Sequence, residues 1–376
     1  MPVFSAAPKK PTERVHSHFG ETQNVHEVWD LTEKDAYVDQ QGRRRLPRFL
    51  VPAIVFLVLA VLLFWFLPGL AMQYSSSAKN APQQVLAPDR IFPDTTRVVC
   101  AAAANIWSLD DIKSPRITQV LYNEPVYLID AISAEGFIHI RTQDGIEGYM
   151  KSTDVTDNLD SVEPNLHKLK LIVSDISKNV KSDASNGTLL IEVMMNTVLY
   201  ADVKSAGVYE VSLPGGGYGW VGSSGVIELG VRDPVEKVGV RYFVSSVQSF
   251  VDMTHLDHGL TKNGLSVEGL AYVSASVNGV KLPRTMEEQM ASGDRVDLSY
   301  DAVTGILNVE SISPGDLVFF SDPNEPTSAA PYEMGICTDT GMLIMTSKSR
   351  TTLRLFTLAD NASLESRIIA VRRIFT

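Results

Sequence analysis

The sequence predicts a mixed architecture: one N-terminal transmembrane helix, two small β-barrels, then a C-terminal α+β domain. Three observations predict it. An uninterrupted apolar run fills Phe49–Leu70. Short β-rich runs broken by turn residues follow, over 97–232. Beyond Arg241, segments with helical spacing give way to compact apolar runs of strand length. At 376 residues the chain is long enough for two or three domains. With 44% hydrophobic and 20% charged residues it has the composition of a folded protein, and a net charge of −11 excludes nucleic acid as the expected partner.

The first element is the apolar run. Its 22 residues carry no charge and would span about 33 Å as a helix, enough for a bilayer core. Arg43, Arg44, Arg45 and Arg48 crowd its near side, whereas Lys79 is the one basic residue within ten of its far end. The positive-inside bias therefore predicts a single-pass membrane protein, N-terminus cytoplasmic and C-terminal domains outside. A polar leader of more than 40 residues argues against a cleaved signal peptide. The arm, residues 1–48, is polar; His16, His18 and His26 read as solvated surface histidines, and a short amphipathic helix is predicted over Val28–Val38. Residues 71–96, rich in Ser, Ala, Gln and Pro, read as an extended linker.

Two β-segments come next, at 97–160 and 161–232. In the first, Val126–Ile129 and Phe137–Arg141 alternate, and Asp144-Gly145 marks a hairpin turn. In the second, Val208–Val211 leads through Pro214-Gly-Gly-Gly217 into Tyr218-Gly219-Trp220-Val221. No Lys-Ser/Thr and no helix follows the glycines, so they form a wide hairpin turn and not a phosphate loop. Asn105-Ile106-Trp107-Ser108, Glu135–Ile138 and Gly148-Tyr149-Met150 resemble the bacterial SH3-like (SH3b) domains, and the second segment resembles a poorer copy. That resemblance implies an aromatic binding surface of Trp107, Tyr149, Tyr218 and Trp220, or simple packing on the next domain.

Residues 233–376 form the last element. Ser266 is placed to cap a helix over Gly269–Val277, with Glu268 in its first turn. Ser311–Phe320 reads as a Pro-Gly-Asp turn into a buried strand, and Tyr332–Cys337, Met342–Thr346 and Ile368–Phe375 read as further strands. Leu282-Pro-Arg-Thr285 with Glu288-Gln289, Pro314-Gly-Asp-Leu-Val-Phe-Phe320 and Ile369-Ala-Val-Arg-Arg-Ile374 resemble, in order, the NlpC/P60 cell-wall peptidases. A papain-like α+β fold is what this implies.

That family places a cysteine nucleophile in Asp-Cys-Ser-Gly-Leu at a helix N-terminus, a base in His-Val-Gly-Ile, and a third polar group in Ile-His. The matching residues here are Val267, Glu333 and Met345. Valine has no lone pair for attack, and neither of the others can serve a thiolate as histidine does. The lead-in that shapes the family's cleft becomes His255-Leu-Asp257-His258-Gly259. His255, Asp257, His258 and Glu268 are then candidates for a binding surface; their spacing is no known metal signature. Cys100 and Cys337 are read as two buried free thiols rather than a bridge.

The expected function is non-enzymatic, with no cofactor and no metal. The chain would be a membrane-anchored scaffold or accessory subunit presenting its outer domains to protein partners in a larger membrane complex. The alternative is a peptidoglycan-binding envelope protein without hydrolase activity. The arm and span (LTEKDA…LLFWFLPGL) also loosely resemble single-span subunits of photosynthetic membranes; without a histidine in the span, such a subunit would be a pigment-free linker.

Overall fold

The computed structural model describes residues 90–347, 349–359 and 361–375. Every described residue lies within one compact unit, Val85–Thr376. The polar arm, the expected membrane helix at 49–70 and most of the linker lie outside the described residues.

The first lobe is an antiparallel sheet of β1 (Thr96–Val99), β2 (Ala103–Trp107), β3 (Arg116–Leu121), β4 (Pro125–Asp130), β5 (Phe137–Thr142), β6 (Glu147–Lys151) and β7 (Val155–Thr156). Their order is β3-β2-β6-β5-β4-β1-β7. The second lobe contains β8 (Leu169–Val173), β9 (Ser177–Lys181), β10 (Leu189–Met194), β11 (Val198–Ser205), β12 (Val208–Ser212), β13 (Tyr218–Gly222) and β14 (Val226–Gly230). Its order, β10-β9-β13-β12-β11-β8-β14, repeats the first strand for strand. Buried and open positions alternate along β6, β11 and β13, as expected where one face of a pleated strand meets a core. Asp144-Gly145 turns β5 into β6, and the Pro214–Gly217 run turns β12 into β13.

The third part begins with α1 (Val240–Gln248), the short ribbon β15 (Leu260–Thr261) and β16 (Gly264–Leu265), α2 (Val267–Val277) and α3 (Met286–Met290). Then come β17 (Asp294–Arg295), β18 (Asp316–Phe320), β19 (Glu333–Asp339), β20 (Met342–Thr346), β21 (Leu353–Thr357), α4 (Ala362–Glu365) and β22 (Ile368–Arg373). The sheet order is β17-β22-β18-β19-β20-β21. All five residues of β18 are buried, because both faces of this sheet are covered. Leu317 and Phe319 join the core beneath α1 and α2; Val318 and Phe320 join a second core with Ile312, Leu358 and Leu364. Gly315 enters β18 at φ +92°, with Val240 Cγ2 2.3 Å from where a Cβ would sit, so only glycine fits the turn. Asp316 accepts from the Ser313 amide at 2.8 Å and receives Arg373 through two parallel bonds of 2.8 and 2.7 Å. This clamp joins the Pro-Gly-Asp turn to the closing strand.

The expected architecture requires correction. Among the described residues no helix is long and apolar enough to cross a membrane; the longest, α2, has 11 residues against the ~20 that a bilayer needs. The described chain is mostly antiparallel β-sheet with four short helices, rather than a helix-anchored array ending in a balanced α+β domain.

Candidate functional site

The site is built around the N-terminus of α2. Ser266 adopts an extended conformation, and its hydroxyl accepts from the Gly269 amide at 3.2 Å, which starts the helix. A Cβ on Gly269 would fall 2.1 Å from the Gly259 carbonyl oxygen; glycine here lets the 255–265 loop lie directly on the helix. Val267 is the first helical residue and is 3% exposed, packed into the main core. Glu268, also buried, meets His258 Nδ1 at 3.2 Å. That hydrogen bond, aided by the charge of Glu268 and opposed by burial, raises the His258 pKa above the ordinary histidine value.

β19 and β20 pack against the same helix. Met345 is 1% exposed and lies opposite Gly335 on the paired strand. Glu333 opens β19 and pairs with Arg367 at 3.3 Å, while Arg367 donates to the Ser321 carbonyl at 2.8 Å. On the 255–265 loop, Asp257 Oδ1 takes His255 Nε2 and Arg350 Nη2, each at 3.0 Å. Burial works to raise the Asp257 carboxyl, but these two bonds outweigh it and hold it below the usual range. His255 Nδ1 is buried with no partner among the described residues. Arg116 of β3 reaches the Asp257 carbonyl at 2.9 Å, bringing the first lobe to the edge of the site.

The first lobe is fixed there by Gln119. Its side chain accepts from the Leu260 amide at 2.8 Å and donates to Asn105 at 2.9 Å, while its carbonyl accepts from Arg284 at 2.7 Å. Arg284, fully enclosed, also pairs with Glu124 and, at 2.7 Å, with Asp144. Gln289 donates to the Glu268 and Pro283 carbonyls at 2.9 and 2.8 Å, tying α2 to the Leu-Pro-Arg-Thr loop.

The candidate residues fall into three places. His255, Asp257, His258 and Glu268 gather at the α2 N-terminus, beside Val267 and close to the β19–β20 pair that carries Glu333 and Met345. Trp107 and Tyr149 are register partners in the first lobe, but Trp107 is only 7% exposed. It packs edge-on against Phe137 and is a core residue, which corrects its place in the expected surface. Tyr149 stacks on His139. Tyr218, 60% exposed, and half-buried Trp220 lie on β13 of the second lobe, apart from the cleft. Both cysteines are free, though Cys100 is half-buried rather than buried. Burial, with Asp316 nearby, pushes the Cys337 thiol up to about 12, far from a reactive thiolate. Among the described residues no group of His, Cys, Asp or Glu is placed to hold a metal ion.

Arg116, Arg350 and Arg367 were not legible as site residues. Each sits in an ordinary strand or loop sequence, and only the fold brings it to the cleft. The turn asparagines Asn123 and Asn196 also lie outside the residues that sequence reasoning singled out. They sit at φ +62° and +70° in equivalent turns of the two lobes, a conformation asparagine tolerates well.

Residues from about 90 to 376 have an NlpC/P60-family fold. The chain is similar to a crystal structure of an NlpC/P60 family protein from Bacillus cereus ATCC 10987, with a TM-score of 0.63 and 15% identity over 75% of this chain and 100% of that one. It is also similar to an NlpC/P60 endopeptidase from Photobacterium damselae subsp. piscicida (TM-score 0.49, 10% identity, 76% and 74% covered). A third similar structure is NlpC2 from Trichomonas vaginalis (TM-score 0.36, 15% identity, 75% and 98% covered). Proteins of this fold are typically peptidases. No family model and no curated protein matches the chain, so the expected SH3b assignment of the two lobes gains no support.

Proposed function

We propose that this chain is a non-enzymatic binding protein that presents an NlpC/P60-like surface to protein partners. The observation that carries this reading is Val267, a buried valine on the first turn of α2, where the family resemblance calls for the nucleophilic cysteine. The other two matched positions support it. Glu333 is engaged by Arg367, and Met345 is enclosed in the sheet core. An attacking group, a base beside it and a residue to orient that base are all required for thiol peptidase chemistry.

Protein partners, rather than the anionic cell wall, are favoured by exposed apolar side chains combined with a net charge of −11. Tyr300, Val303 and Ile306 are 53%, 93% and 56% exposed on one projecting turn. Clustered exposed apolar side chains of this kind mark interaction surfaces.

The test has two arms. Incubated with muropeptides, the purified chain is expected to give no turnover above buffer. Cleavage that Glu268→Ala or Glu333→Ala abolishes would overturn the reading. Gentle co-purification is expected to recover a stoichiometric protein that is lost with Val303→Asp; sedimentation with purified sacculi instead would favour peptidoglycan.

A further inference from the structure

Asparagine is followed by glycine at three places, Asn186-Gly187, Asn263-Gly264 and Asn278-Gly279. Such a pair is chemically labile, because glycine has no side chain to keep its own main-chain nitrogen away from Cγ of the asparagine before it. Reaction in a folded chain needs two things. The asparagine side chain must be free to turn, and the glycine nitrogen must be free to leave its place in the backbone. The three pairs differ in both.

Asn278 caps the C-terminus of α2 and is buried. Its amide nitrogen donates to the Ser274 carbonyl at 2.8 Å and to Ser246 Oγ at 3.1 Å, and the Gly279 nitrogen donates to the Ser276 carbonyl at 3.2 Å. Both reacting groups are therefore held. Asn263 is exposed at the tip of the β15–β16 ribbon, but Gly264 is buried and pairs in register with Thr261. That ribbon is anchored on both sides, by Gln119 on the Leu260 amide and by Glu192 on Lys262. Its glycine is fixed even though its asparagine is not.

Asn186 lies in the turn between β9 and β10, and every residue from Lys181 to Asn186 is exposed. Asp183 Oδ1 accepts from the Ser185 amide at 2.9 Å and the Asn186 amide at 3.2 Å, while the Ser182 amide donates to the Thr188 carbonyl at 2.9 Å. These bonds hold the chain on either side of the pair. Among the described residues, neither the Asn186 side chain nor the Gly187 nitrogen has a hydrogen-bond partner. A Cβ on residue 187 would fall 2.1 Å from the Asp183 nitrogen, so the turn itself requires the glycine that makes the pair labile.

We infer that Asn186-Gly187 is a site of spontaneous deamidation, singled out by the fold from three similar pairs. The Gly187 nitrogen gives its proton to hydroxide and bonds to Asn186 Cγ. The Cγ–Nδ2 bond breaks, and the side-chain nitrogen takes up a proton and leaves as ammonia. The resulting succinimide is opened by water. Breaking the new bond between Gly187 nitrogen and Cγ gives aspartate; breaking the original peptide bond instead gives isoaspartate. Water is the co-reactant, and nothing is oxidised or reduced. The product carries a carboxylate beside Asp183, at the head of the edge strand β10, where Leu189 and Leu190 are exposed. Charge at such a position opposes pairing of the open edge with another chain.

The purified full chain, held at mildly alkaline pH in heavy-oxygen water, tests this by peptide mapping in ordinary water with mass spectrometry. A parallel sample is unfolded in guanidinium chloride. In the folded chain Asn186 is expected to become aspartate and isoaspartate bearing heavy oxygen at least about tenfold faster than Asn263 or Asn278. In the unfolded chain the gap should close. Asn186→Gln, whose longer side chain closes the ring poorly, should leave this turn unlabelled at an unchanged melting temperature. An unreactive Asn186, equal rates at the three sites in the folded chain, or a gap that persists in guanidinium chloride would each overturn the inference.

Discussion

The two lobes share a strand order and an asparagine turn, and each adds an apolar contact to the core of the C-terminal part, Leu121 from the first, yet the balance of polar and apolar contacts differs. The first lobe docks mainly through polar groups: Arg284 with Glu124 and Asp144, Gln119 with the Leu260 amide, and Arg116 with the Asp257 carbonyl. The second docks mainly through apolar ones. Ile172, Met194 and Met195 are buried members of the core that also contains Phe243, Phe250 and Leu270. Its main charged link, Lys262 to Glu192 at 2.5 Å, is part-exposed. One scaffold thus supports two kinds of junction. A hydrogen-bonded junction specifies orientation and tolerates little error; an apolar one contributes cohesion and allows repacking.

Three substitutions would break or sharpen that contrast. The largest effect is expected at Arg284→Met, which leaves Glu124 and Asp144 without their common partner at a buried junction. Removing one side of such a pair costs about 3–5 kcal/mol, read as a fall in the urea midpoint. A loss below about 1 kcal/mol would mean that the first lobe is not held by its polar contacts. Next comes Met195→Ala, 3% exposed, for which large-to-small truncation predicts a loss of about 2–4 kcal/mol in the same measurement. An effect near zero would show that the second lobe docks by something other than its apolar face. The smallest is Lys262→Ala, a part-exposed pair worth under about 1 kcal/mol; its contribution should vanish as salt is raised, whereas the Arg284 effect should persist.

Much of the C-terminal frame could be read from local sequence. Pro314-Gly-Asp316 and Arg373 are far apart in the chain, but each motif carries a local requirement: a glycine-only turn, an amide-binding carboxylate, and a charge of opposite sign. Ser266 announced the start of α2 because a capping hydroxyl acts within three residues. The β-lobes showed themselves by alternation and turn residues, which are equally local. The candidate site was legible only in part. His258 and Glu268 are ten residues apart and were placed by the loop-to-helix frame, whereas Arg350 and Arg367 reach the site by long-range strand pairing that no local pattern encodes. Trp107 misled because an aromatic residue in a β-run looks the same whether it faces a groove or a core; only the approach of Phe137 decides. The apolar run at 49–70 lies outside the described residues, and the membrane architecture built on it finds no counterpart among them.

Gln119 has a bearing on how the molecule comes apart. Through one residue the first lobe grips both the 255–265 loop and the Leu-Pro-Arg-Thr segment, and all of these bonds form only when lobe and C-terminal part are both folded. Neither partner can melt without stranding buried donors and acceptors on the other. The expected consequence is shared cooperativity: the first lobe and the C-terminal part should unfold together in one transition, despite being separated in the chain by an entire second lobe.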